Sequence, residues 1–105
     1  MAAYIIATLT VHDAETYHKY VEAAPPIVAR YGGKYLTRGA PTEVLEGEPL
    51  NERLVIVEFP DADSIRAMFA DADYQAAAKH RHASTTSRFL LQEGIPDANN
   101  PPMNV

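Results

Sequence analysis

The stretch Tyr31-Gly32-Gly33-Lys34-Tyr35-Leu36-Thr37-Arg38-Gly39-Ala40, read with Arg53-Leu54-Val55-Ile56-Val57-Glu58-Phe59-Pro60, decides how this chain folds. The paired glycines predict the end of a helix, because glycine accepts the left-handed conformation of a helix C-terminus without steric cost. Residues 34–38 then read as a strand, bent at Gly39-Ala40-Pro41 and resumed as a short strand over 42–46. After a turn at 48–52, residues 53–59 form a stronger strand. Alternation puts Val55, Val57 and Phe59 on one of its faces and Leu54, Ile56 and Glu58 on the other.

Upstream, residues 3–11 are rich in isoleucine, threonine and valine and predict a first strand. Ile5, Ala7, Leu9 and Val11 share one face; Tyr4, Ile6, Thr8 and Thr10 share the other. Asp13 is placed to cap a helix whose buried stripe runs through Tyr17, Tyr20, Val21, Ala24, Ile27, Val28 and Tyr31. Pro25-Pro26 predicts a kink or short break in it, with Pro26 opening a second piece on the same buried face.

Downstream, Asp61 or Asp63 caps a helix that buries Ile65, Met68 and Phe69; it breaks and recaps at 71–73 and continues through Tyr74, Ala77, Ala78 and Arg81. Ser84-Thr85-Thr86-Ser87 reads as a polar connection to a last strand over 88–93, closed by Gly94. Residues 1–95 make one domain, and the proline- and asparagine-rich residues 96–105 predict an extended or disordered C-terminal arm.

The order strand, helix, strand, strand, helix, strand is the split pattern of a ferredoxin-like α+β sandwich, βαββαβ, with a four-stranded antiparallel sheet. Helices placed this way cover one sheet face. Tyr4, Ile6, Leu54 and Ile56 are then left as an apolar cluster on the other, and a large uncovered apolar patch marks a partner surface. A second copy related by a twofold axis satisfies it most economically, so the chain is expected to be a homodimer through the sheet face.

Several of these residues carry a resemblance. Residues 31–39, Glu43-Val44-Leu45-Glu46-Gly47, Arg53 with Val57-Glu58-Phe59-Pro60, and Asp73-Tyr74-Gln75 ahead of Arg81 together resemble the family called domain of unknown function 1330. The likeness runs over nearly the whole chain, and the family is similar to the dimeric α+β barrel superfamily. The resemblance implies the same fold and the same dimer. By analogy at the level of the superfamily alone, it also implies chemistry such as that of a cofactor-free oxygenase or isomerase.

Composition narrows the remaining classes. At 105 residues with 47% apolar side chains, the chain suits a single domain that buries roughly two thirds of its unfolded surface, so a second subunit would help. Its 14 acidic and 9 basic residues, net −5, are dispersed, which argues against nucleic acid or an anionic membrane as partner. No cysteine is present, so no disulfide framework, thiol nucleophile or thiolate zinc site can form. No basic leader or long apolar run is visible, and a soluble, cytoplasmic protein is expected.

The candidate chemistry lies in a few polar residues. Glu58 sits on a face expected to be covered, so it is either a general acid or base or one half of a structural ion pair with Arg38, Arg53 or Arg88, within the chain or across the dimer interface. Arg38, at a strand end beside a glycine bend, suits gripping a carboxylate through paired donors, of a ligand or of the protein itself. Tyr74 and Arg81 are seven residues apart, two helical turns, and can face one cavity, with Tyr74 either a catalytic acid or a core aromatic. His12, at the end of the first strand, is the histidine best placed as a general base. The four histidines lack chelating spacing: His80 and His82 diverge on a helix, and His12 and His18 straddle a cap. No metal and no cofactor is therefore expected.

Two functions follow. One is a homodimer with a pocket between sheet and helices for a small organic molecule, anionic or aromatic, where Arg38 and Arg81 bind and His12, Glu58 and Tyr74 handle protons. The other is a non-catalytic accessory or stress-associated dimer whose charged residues are structural.

Overall fold

The computed structural model of the chain describes residues 1–96. In chain order the elements are β1 (Ala3–Val11), α1 (Ala14–Arg30), β2 (Lys34–Arg38), β3 (Arg53–Phe59), α2 (Ala62–Ala70), α3 (Ala72–Ser84) and β4 (Thr85–Glu93). The four strands form one antiparallel sheet in the order β2-β3-β1-β4, the ferredoxin-like arrangement expected from the element order.

Register explains the two faces. Ile5 lies opposite Val57 and Leu91, and Ala7 opposite Val55 and Phe89. These residues turn toward the helices, where Ala3, Ile5, Ala7, Leu9, Val57 and Phe59 are all buried with Ile27, Val28, Ile65 and Met68. On the opposite face Ile6 lies between Ile56 and Leu90, and Tyr4 between Glu58 and Gln92. Tyr4, Ile6, Leu54 and Ile56 are only half-buried there, and Leu90 is 45% exposed. The apolar cluster expected on the uncovered face is present.

The stretches 31–40 and 53–60 meet at both ends of β2. Amides of Gly32 and Gly33 donate to the carbonyls of Ala29 (3.0 Å) and Val28 (2.9 Å), which closes α1. A Cβ on Gly33 would stand 2.5 Å from Val28 Cγ1 and 2.8 Å from Phe59 Cε1, so the turn passes over the end of β3 only because this residue has no side chain. At the other end Gly39 has φ +87°, and a Cβ there would lie 2.4 Å from Arg53 Nη2.

Aspartates begin the helices. Asp13 accepts from the Thr16 amide (3.2 Å) and hydroxyl (2.7 Å), and Asp61 accepts from the Ser64 amide (2.7 Å). Asp71 ends α2, whose Met68 carbonyl takes its amide at 3.0 Å, and caps α3 by accepting from the Asp73 amide at 2.6 Å. The same carboxylate also accepts from the Tyr31 hydroxyl and lies 3.3 Å from Arg30 Nη1. One side chain thus joins the end of α1 to the start of α3. The Tyr31 hydroxyl bond, and then the amide of Asp73, hold this carboxyl below its ordinary range.

Three expectations need correction. Pro25-Pro26 does not break α1, which runs unbroken over 17 residues with Tyr17, Tyr20, Ala24, Ile27 and Val28 buried on one side. Tertiary packing of that stripe outweighs the lost amide bonds. Residues 42–46 form no strand, since Leu45 is 86% exposed and no neighbouring strand pairs with the segment. The irregularity falls instead inside β2, as a register shift between Tyr35 and Thr37. Finally, residues 85–87 are not a connection: β4 begins at Thr85, paired with Val11, so the polar run is the start of an edge strand. Past residue 96, the expected arm at 96–105 lies outside the described residues.

Candidate functional site

A cavity of about 40 Å³ lies between the sheet and α1. Its floor is Ile5, Ala7 and Leu9 of β1 with Val55 and Val57 of β3, and its roof is Tyr17, Tyr20, Val21, Ala24 and Val28 of α1. Tyr35 and Arg38 of β2, Met68 of α2, Tyr74 of α3 and Phe89 of β4 complete the wall. The volume is room for a few water molecules. Arg38 is the one exposed residue in this lining; the others are buried or half-buried.

The wall is aromatic because the α1 stripe faces α3. Tyr17 and Tyr20 stack at 6.1 Å between ring centroids, and Tyr20 meets Tyr74 edge-on at 6.3 Å with their hydroxyl oxygens 2.8 Å apart. Phe69 adds a tilted contact to Tyr74 at 5.0 Å and an edge contact to Phe89 at 6.3 Å. Burial first, and then the Tyr74 hydroxyl, push the Tyr20 phenol far above its ordinary value, with Arg81 opposing in part. Burial likewise raises Tyr35, against the opposing charge of Arg38. These phenols stay protonated, so Tyr20 and Tyr35 are hydrogen-bond donors and not bases.

Three guanidinium groups surround this cluster. Arg81, 5% exposed, lies with Cζ 3.9 Å from the Phe89 ring centroid and 5.2 Å from that of Tyr20. Its Nη1 donates to Ser87 Oγ at 3.4 Å, and its Nε has no partner among the described residues. Arg38 rests with Cζ 4.9 Å from the Tyr35 centroid and donates from Nη2 to the Val21 carbonyl at 2.9 Å. Arg53 lies 5.8 Å from the Tyr17 centroid, in the space beside Gly39. Among the described residues the arginine–carboxylate pairs are Arg30 with Asp71 and Asp73, and Arg66 with Asp63, so none of these three guanidinium groups has a carboxylate partner.

The structure divides the expected site residues. Tyr74 and Arg38 line the cavity, Arg81 lies behind its wall against the Tyr20 and Phe89 rings, and the two-turn spacing of Tyr74 and Arg81 does bring both onto Tyr20. Glu58 lies on the opposite sheet face, where it accepts from the Tyr4 hydroxyl at 3.3 Å; within the chain it forms no ion pair with Arg38, Arg53 or Arg88. Strand alternation puts Arg38, opposite Val55, and Arg53, opposite Leu9, on the inward face and Glu58, opposite Tyr4 and Lys34, on the other; Arg88 shares the face of Glu58 but lies opposite Thr8, four residues along β1 from Tyr4. His12 sits at the exposed end of β1, with Nε2 2.7 Å from Thr86 Oγ1 and its amide donating to the Ser84 carbonyl at 2.7 Å. It does not line the cavity. Among the described residues no three histidine, aspartate or glutamate side chains gather as a metal site.

Tyr17, Tyr20, Tyr35 and Phe89 join the site without having been singled out for it. The tyrosines of α1 carried a legible signal, their place on the buried stripe, but that signal reads equally as core. Arg53 shares the strand face of Val55 and Val57, and this phase already aimed it inward.

Residues 2–95 match the family described as a domain of unknown function, DUF1330. The chain belongs to that family. Among solved structures, this DUF1330 chain is similar to a protein of unknown function from Rhodopseudomonas palustris, at 24% identity and TM-score 0.75 over 91% of this chain and 84% of the other. It is also similar to SnoaB, a cofactor-independent oxygenase from Streptomyces nogalater, at 20% identity and TM-score 0.64 over 94% and 98% of the two chains. A dimeric ferredoxin-like protein of unknown function from Jannaschia shares 14% identity and TM-score 0.62 over 90% of this chain and all of the other. At these identities the likeness is one of fold. No curated protein gives a significant match to this DUF1330 chain.

Proposed function

We propose that the chain forms a homodimer through the open face of its sheet and binds a small aromatic acid between sheet and helices. The observation that carries the ligand is Arg81: a guanidinium almost wholly buried, flanked by two aromatic rings, with an unpartnered Nε and no carboxylate. An uncompensated buried charge is costly, and aromatic faces offset only part of that cost. Arg38 lines the cavity, and Arg81 and Arg53 lie against its wall rings Tyr20, Phe89 and Tyr17, so positive charge gathers around it in a chain of net charge −5. The tyrosines supply faces for a ring and neutral donors for its acid group.

Binding is favoured over turnover because only one of the three candidate proton-handling residues, Tyr74, lines the cavity. Glu58 and His12 lie elsewhere. A cofactor-free oxygenase or isomerase activity has the fold of SnoaB behind it and no base among the described residues that line the cavity. The dimer is supported by the apolar cluster on the open face and by similar proteins described as dimeric.

Titration with benzoate and with benzyl alcohol, followed by amide NMR shifts, tests the ligand class. Benzoate should shift cavity residues and benzyl alcohol should bind much more weakly. Arg81→Met, which keeps length and removes charge, should weaken benzoate roughly fivefold or more. Equal binding of the two compounds, or benzoate affinity unchanged in Arg81→Met and Arg38→Met alike, refutes the acid. Native mass spectrometry at micromolar concentration should report a dimer; a clean monomer refutes that half.

A further inference from the structure

The Val21 carbonyl, in the middle of α1, would ordinarily accept from the amide four residues on, but that residue is Pro25 and has no N–H. The helix continues regardless, which leaves a free acceptor in the cavity roof. Arg38 reaches it from β2 at 2.9 Å, and Arg38 is the exposed member of the cavity lining. The cavity behind it, at about 40 Å³, is several times smaller than the roughly 300–1,000 Å³ sites that enclose drug-sized ligands. A cavity of that size takes no aromatic ring unless part of its wall moves.

We propose that Pro25 makes Arg38 a latch: the carbonyl left free by the proline holds the guanidinium across the mouth of the cavity, and an incoming carboxylate takes that guanidinium from Val21. The inference rests on the reading of the cavity as a site for an aromatic acid. A backbone carbonyl offers a neutral acceptor, whereas a carboxylate offers a charged, bidentate one and forms the stronger hydrogen bonds. The exchange therefore favours acids and gives a neutral ring of the same size no way to open the mouth. Pro25 is then a positioning residue for Arg38, and Arg38 determines specificity at the mouth.

Pro26 provides an internal control. It deprives the Glu22 carbonyl of its amide in the same way, yet Arg38 bonds to Val21 alone of the two. Pro25→Ala and Pro26→Ala each restore one helical hydrogen bond, but only the first competes with Arg38. The first measurement needs no ligand: side-chain ¹⁵N relaxation of Arg38 Nε–H, assigned by its loss in Arg38→Lys. Its order should fall in Pro25→Ala and stay at the wild-type value in Pro26→Ala. The second is benzoate titration, in which Pro25→Ala should bind roughly three- to tenfold tighter than wild type and Pro26→Ala equally.

Arg38 order unchanged in Pro25→Ala, or lowered equally by both variants, overturns the latch. So does tighter benzoate binding by both variants to the same degree. If benzoate fails to bind every variant while Arg38 is released only in Pro25→Ala, the aromatic-acid reading falls and the proline-made bond stands.

Discussion

The two faces of the same sheet differ more than its sequence alternation suggests. On the covered face, β1 and β3 place Ile5, Leu9, Val57 and Phe59 against the helices and leave almost nothing to solvent. On the open face the same strands carry residues just as apolar, Ile6, Leu54 and Ile56, and leave them half-exposed. The difference teaches that apolar character along these strands serves two purposes. One face is folded by the chain itself, and the other is left for a second copy under the proposed dimer. Charge divides along the same line, with the unpaired Arg38, Arg53 and Arg81 on the helix side and Glu58 bonded to Tyr4 on the open side.

The sharpest way to break this comparison is to remove one large side chain from each face. Phe59, 1% exposed, packs where α1 ends, and Phe59→Ala should cost about 3–5 kcal/mol in urea unfolding. Ile56→Ala on the open face should cost far less in a monomer, and its loss should grow with protein concentration in the range where the dimer forms. Equal, concentration-independent losses would mean that the open face is not an interface.

A smaller effect tests how closely the two deciding stretches meet. Gly33→Ala introduces a Cβ that must displace Val28 and Phe59, and overpacking of this kind costs about 1–3 kcal/mol. Thermal unfolding should show the drop, and Phe59→Leu in the same chain should recover part of it. A neutral Gly33→Ala would show that the end of α1 can shift away from β3.

The smallest effect concerns acid stability. Asp71 has a carboxyl held below its ordinary value of 3.8 by the Tyr31 hydroxyl bond first and amide bonds after it. Its contribution to stability is therefore present above the unfolded value and is lost as pH falls through the lower folded one. Asp71→Asn keeps a capping oxygen but no charge. It should be less stable than wild type at pH 7, and the gap should close as pH falls below about 4. A constant gap across that range would assign the effect to the cap and not to the charge.

Much of the fold was legible in particular residues. The alternation in β1 and β3, the capping aspartates, the glycine stop after Tyr31 and the recapping at Asp71 all depend on interactions within a few positions, and each appears where the pattern put it. Local rules failed where tertiary packing competes with them. Pro25-Pro26 does not break α1, because the buried stripe on either side holds it on the sheet and Arg38 takes one of the stranded carbonyls. Residues 42–46 have strand-like composition but pair with no strand and stay outside the sheet.

The candidate site was legible in part. Tyr74 and Arg81 were tied to one face by helical spacing, and both meet Tyr20, whereas Arg38, expected to grip a carboxylate, donates to the Val21 carbonyl within the chain. Glu58 was grouped with them as a covered carboxylate, although alternation had already placed it with Leu54 and Ile56 on the face away from the helices.

Neighbouring residues alone set the element order, the two-faced strands and the apolar cluster that asks for a partner, because period and capping act over a few positions. Only the tertiary structure decided that Arg38 answers Val21, that Arg81 lies between Phe89 and Tyr20 without a counter-charge, and that Glu58 stands apart from both. Those are choices between residues far apart in the chain, and they are made by the way the helices settle on the sheet.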